Sequence, residues 1–105
     1  MAQLIWTETA LSDLNEIAEY IALENPAAAS LLVQQVFSAV ERLEKHPASG
    51  KSPAELDGRR YREVISGPCR ILYRHSQDQV LVLYIMRSER QLRNFLLEDR
   101  DDRGG

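Results

Sequence analysis

Residues 61–74, Tyr-Arg-Glu-Val-Ile-Ser-Gly-Pro-Cys-Arg-Ile-Leu-Tyr-Arg, constrain the fold more than any other stretch of this 105-residue chain. Two runs rich in aliphatic and aromatic residues flank Gly67-Pro68, a dipeptide that marks a tight turn. The stretch therefore reads as two strands joined by that turn. A third run, Val80 to Met86, is almost continuously apolar, and Gln77-Asp78 supplies the turn before it. Strands are expected at about 59–66, 69–75 and 79–86. The third belongs in the middle of a sheet with both faces covered, which would pack Tyr84 into the core.

The half of the chain before this sheet has a different period. Gln3 to Trp6 is a short strand, and Trp6 is expected to anchor the core. Thr7 then offers an N-cap and Glu8 a first-turn acid. Ala10, Leu11, Leu14, Ile17, Ala18 and Ile21 recur at three and four, the spacing of an amphipathic helix from Glu8 to about Leu23. Asn25-Pro26 ends that helix and starts another, with Asn25 as cap and Pro26 at the first helical position. Ala28, Leu31, Leu32, Val36, Ala39, Val40 and Leu43 line its apolar side, and Pro47 stops it. So short a connection implies an antiparallel helix hairpin. Residues 47–58 form a Pro-, Gly- and Ser-rich loop. Ser88, with Gln91 three residues on, has capping-box spacing for a short closing helix that carries Leu92, Phe95 and Leu96. The order is β-α-α-β-β-β with that closing helix: an α+β fold with a helix hairpin on one face of an antiparallel sheet. One domain is expected over 1–98, followed by a polar tail at 99–105.

Composition narrows the function classes. Cys69 is the single cysteine, which excludes an internal disulfide and fits a reducing compartment. No Cys/His pattern suggests a metal site, no cofactor motif is present, and no apolar run has the length of a membrane helix. No basic segment followed by an apolar one opens the chain, so no signal peptide is expected. The net charge of −3 conceals a polarity. Residues 1–50 hold seven acids against two bases, whereas residues 51–98 hold nine bases against six acids. Eleven of the thirteen bases are arginine, the cation suited to planar contact with carboxylate or phosphate. Arg59, Arg60, Arg62, Arg70, Arg74, Arg87, Arg90 and Arg93 could form one cationic face for an anionic or acidic partner.

Taken in order, several short patterns resemble the RelE/ParE toxin superfamily. They are Trp6-Thr7, Ala10, Asp13-Leu14, Ile17, Tyr20-Ile21, Asn25-Pro26-Ala27-Ala28-Ala29, Leu43, Pro47 with Gly50, and Arg60. Gly67-Pro68-Cys69-Arg70-Ile71-Leu72-Tyr73-Arg74 is similar to the family's Gly-x-Tyr-Arg-Ile-x-Tyr strand pair, and Arg90-Gln91-Leu92 to its closing Arg-Asp-Leu. The resemblance covers about residues 3–93 and implies the fold just read. It implies a toxin of a type II toxin–antitoxin module in the bacterial cytoplasm. RelE-like members cut messenger RNA on the ribosome; ParE-like members poison DNA gyrase. The spacing around Asn25-Pro26 and the Arg-Ile-Leu-Tyr-Arg strand are closer to ParE. The resemblance further implies a toxin–antitoxin hetero-oligomer. A ribbon-helix-helix ParD-like antitoxin would lay its C-terminal segment in an apolar groove at the edge of the helix layer and add a strand to the sheet edge. Two positions depart from the pattern: Cys69 stands where relatives often have Tyr, and Arg87 where they often have His.

The two branches need different chemistry. RNA cleavage needs a base for the 2′-hydroxyl, an acid for the leaving oxygen and cations for the charged intermediate. Arg70, Arg87 and Arg90 could supply the last. A base is harder to find, because His46 and His75 lie at a helix end and a strand end. A gyrase inhibitor needs only a recognition surface. The expectation is a ParE-like gyrase inhibitor, with a RelE-like ribonuclease as the alternative.

Overall fold

A computed structural model describes residues 1–53 and 61–88. The elements are β1 (Gln3–Trp6), α1 (Glu8–Ala22), α2 (Pro26–Glu41), a 3₁₀ turn at Arg42–Glu44, β2 (Tyr61–Ser66), β3 (Cys69–Ser76) and β4 (Gln79–Arg87). The local reasons are those the sequence offers. Thr7 Oγ1 accepts the Ala10 amide at 3.1 Å, and Asn25 Oδ1 accepts the Ala28 amide at 3.0 Å. Pro26 occupies the first turn of α2, where its missing amide costs nothing. Gly67 has φ 56°, the positive value that the first central residue of a two-residue hairpin of this kind requires. The proposed closing helix and the 99–105 tail lie outside the described residues.

The sheet order is β1-β4-β3-β2, with β1 parallel to β4 and the other pairs antiparallel. Thr7 joins the two halves of the chain: while capping α1, its hydroxyl also donates to Val82 O at 2.8 Å. Ala10, Leu14, Ile17 and Ile21 of α1 meet Leu32, Val36 and Val40 of α2 over Cys69, Ile71, Val82 and Ile85. Trp6 lies partly buried against this core, its ring 4.9 Å from that of Phe37. Leu43, Tyr73 and Val80 close the far end.

One expectation fails in an informative way. β4 is central, yet no described element covers one of its faces, the open side of the sheet, and Tyr84 is 49% exposed there. The β3–β4 register slips between Leu72 and Tyr73: Leu72 pairs with Tyr84 but Tyr73 with Val82. Leu83 is the extra residue of a bulge. Strict alternation from Val80 and Val82 would put Tyr84 inside; the bulge puts Ile85 inside instead.

The loop after the helices is held by the sheet. Tyr73 Oη donates to Pro47 O at 2.7 Å and accepts the Gly50 amide at 3.0 Å. Arg62 donates to Ala48 O at 3.2 Å and Gly50 O at 3.0 Å. Lys51 then forms an isolated bridge with Glu63. A Cβ on Gly50 would sit 2.6 Å from Tyr73 Oη and 2.8 Å from Glu63 O, so no side chain fits. Gly50→Ala is expected to destabilise the fold by about 1–3 kcal/mol through overpacking. Tyr73→Phe should cost about 1–3 kcal/mol by stranding a buried amide and carbonyl. Denaturant titration checks both.

Burial also sets an alkaline limit. Cys69 is fully buried, and burial pushes its thiol from 9.0 to about 11. Burial likewise raises the Tyr73 phenol, opposed in part by the Gly50 amide and by Arg62. Both groups hold their protons in the fold at pH values where the unfolded chain has released them, so raising the pH favours unfolding. Stability should be level up to about pH 8.5 and fall between pH 9 and 11. Cys69→Ala should flatten that fall without abolishing it, as followed by unfolding curves across the range.

Candidate functional site

The strand register sorts the arginines. Arg62 pairs with Tyr73, and Arg87 with Cys69, so both leave the sheet on the helix-covered side. Arg70 stands between Ile65 and Met86, and Arg74 between Tyr61 and Leu81, on the open side. The expected single cationic face is therefore not formed by these four residues. Alternation along each strand puts Arg62 and Arg74 on opposite sides of the sheet although they are near neighbours across the hairpin. Arg59, Arg60, Arg90 and Arg93 lie outside the described residues.

Each side has its own character. On the helix side, Arg62 is a structural tie to the 48–50 loop. Arg87 lies over the Tyr20 ring, 4.4 Å from its centroid, a cation–π contact. Asp13, Glu16, Tyr20 and Arg87 border a cleft of about 350 Å³ between α1 and the end of β4. Asp13 Oδ2 accepts the Ile85 amide at 3.0 Å, beyond the point where β1 stops pairing. Asp13 thus satisfies an edge amide of β4 from a helix.

The open side is built of three rows across the sheet. Tyr61, Arg74, Leu81 and Ile5 form the first; Glu63, Leu72 and Tyr84 the second; Ile65, Arg70 and Met86 the third. Nε and Nη2 of Arg70 both donate to Glu63 Oε2, the former at 2.8 Å. Ile65, Tyr84 and Met86 are 55%, 49% and 36% exposed, an unusual set of apolar side chains on one small face. This is a mixed apolar and cationic surface, the character of a protein-recognition patch. Ile65, Tyr84 and Met86 escape a sequence reading that looks for charge. The Leu72–Tyr73 bulge that brings Tyr84 out has no signature in the residues themselves.

Arg70 and Arg87, paired in the nuclease alternative, leave the sheet on opposite faces and do not converge. Arg90, the third member of that set, is outside the described residues. His75 is five residues along β3 from Arg70, roughly 16 Å at strand rise, and its Nε2 contacts Gln77 O in the turn. Among the described residues no cluster of His, Cys, Asp or Glu is placed to hold a metal ion, and no helix is long and apolar enough to cross a membrane. A shallow crevice lies between α1 and α2, lined by Ala18, Glu19, Ala22, Pro26, Ala29 and Val33; it runs between the helices and is not a groove at the edge of their layer.

Known proteins share this arrangement. Residues 4–92 match the family described as ParE toxin of type II toxin-antitoxin system, parDE. A Sinorhizobium fredii protein, Y4kP, is 37% identical over 86 residues, which cover 82% of this chain and 88% of that protein. Toxin RelE2 of Caulobacter vibrioides is 37% identical over 51 residues, 49% of this chain and 58% of that one. A solved chain of the chromosomal ParDE system of P. aeruginosa superposes with a TM-score of 0.70 at 28% identity, covering 85% of this chain and 98% of its own. The sequence match over nearly the whole described fold, and the shared fold itself, lead to one conclusion: the chain belongs to the ParE family of type II toxin–antitoxin toxins.

Proposed function

We propose that this ParE-family toxin acts by binding DNA gyrase and stalling it on cleaved DNA, and that a cognate ParD-like antitoxin neutralises it. The observation that carries the reading is the family match over residues 4–92. The geometry supports it. Arg70 and Arg87 face opposite sides of the sheet, and His75 sits at the far end from Arg70. An inhibitor needs no acid and base brought to one phosphate; it needs a recognition surface. The open face, with Ile65, Tyr84 and Met86 around the Arg70–Glu63 pair, has that composition.

The P. aeruginosa relative comes from a ParDE system, which supports an antitoxin partner of the same kind here. Its C-terminal segment would cover the open face, with an amphipathic helix in a groove of the helix layer. A segment that folds on binding suits such a surface, because it wraps area that a rigid partner would not reach. A gyrase target places the chain in the bacterial cytoplasm.

A supercoiling assay with purified gyrase and relaxed plasmid tests the reading. Added toxin should block supercoiling and accumulate cleaved DNA, and equimolar antitoxin should restore activity. Full supercoiling at large toxin excess would sink the proposal. Codon-dependent transcript cleavage in a translating extract would transfer the chain to the ribonuclease alternative.

A further inference from the structure

Arg74 differs from the other arginines of the described strands. Arg62 donates to two carbonyls, Arg70 to Glu63, and Arg87 lies over Tyr20. Arg74 stands in an apolar row, with Tyr61 on one side and Leu81 then Ile5 on the other. Leu72, two residues along β3 on the same face, is buried. The Nε of Arg74 is itself buried and meets no acceptor among the described residues. Glu63, the acid that the register places on this face, is held by Arg70.

A buried guanidinium donor without an acceptor is unfavourable, because it has given up water and gained no replacement. The planar fork of arginine is matched by a carboxylate, which takes two parallel hydrogen bonds. We infer that Arg74 is the anchor for a carboxylate carried by an apolar segment of the antitoxin that crosses Tyr61, Leu72 and Leu81. This rests on the proposed reading of the open face as the surface the antitoxin covers. The partner residue is an Asp or Glu with apolar neighbours on the strip that meets the sheet. A nucleic-acid phosphate fits less well, since backbone binding draws on several cations together and Arg74 is flanked by Tyr61 and Leu81.

The test uses the full chain and its cognate antitoxin, with affinity measured by calorimetry and the free chain's melting temperature measured in parallel. Arg74→Met should weaken the complex by about 30-fold or more, the effect of removing one partner of a buried charged pair. The free chain should melt at the same or a higher temperature, because the stranded donor is gone. A merely structural arginine would lower both. Arg74→Glu should be rescued by reversing one acidic residue of the antitoxin to Arg. Ile65→Glu should also weaken the complex by charging the apolar face. Loss of binding with Ile65→Glu but parental affinity with Arg74→Met would overturn the carboxylate anchor and leave the open face standing. Parental affinity for both variants would overturn the covered face as well. Weaker binding of Arg74→Met to a DNA duplex, with antitoxin affinity unchanged, would make the anion a phosphate and overturn the inference.

Discussion

The phenol of Tyr73 holds the two halves of this fold in one arrangement. It lies at the far end of the sheet core and ties down the loop that follows the helices, through Pro47 O and the Gly50 amide. Gly50 admits that approach because it has no side chain. The loop so held brings Lys51 to Glu63 and gives Arg62 two carbonyls to bond. One buried hydroxyl thus pins the 47–50 loop beside β2, where Arg62 reaches its carbonyls. Arg70 and Arg74, one residue out of phase with Tyr73, leave the sheet on the opposite face.

The sheet converts that arrangement into a surface. With the helix hairpin on one side, the alternate positions of β2, β3 and β4 point to the other, where Ile65, Tyr84 and Met86 are exposed and Leu72 is buried. The bulge after Leu72 adds Tyr84 to this set. The Arg70–Glu63 pair is partly exposed, so its contribution to stability is small. Its consequence is that it occupies Glu63, the acid that the register places on this face, while the Arg74 Nε meets no acceptor among the described residues. Among the described residues, the arginines of the sheet are therefore a few cations of distinct duty rather than a uniform basic plate.

Much of the fold was legible because local signals agreed with one another. Thr7 and Asn25 are caps, Pro26 is a first-turn proline, Gly67 takes a positive φ, and the helix seams follow their period except at Leu11 and Leu31, which lie at the margin of each apolar stripe and are exposed. The parallel pairing of β1 with β4 was not legible, because it joins residues more than seventy positions apart. The site was harder to read for a related reason. Arg62 and Arg74 look alike in sequence and end on opposite faces, since a one-residue difference in phase reverses a strand side chain. Tyr84 was misplaced because a bulge changes phase without a residue that announces it. Asp13 and Tyr20 stood out only as parts of a family pattern, and their contacts with Ile85 and Arg87 supply the physical reason.

The proposed docking surface for the antitoxin is the open sheet face. Single-cysteine reporters test it most directly, because the native Cys69 is buried and labels slowly. Ile65→Cys and Met86→Cys place thiols on the open face, and Gln35→Cys places one on the exposed side of α2. Saturating antitoxin should sharply slow thiol labelling at positions 65 and 86 and leave position 35 at its free rate. Labelling at 65 and 86 that keeps its free rate in the saturated complex would mean that the antitoxin docks elsewhere.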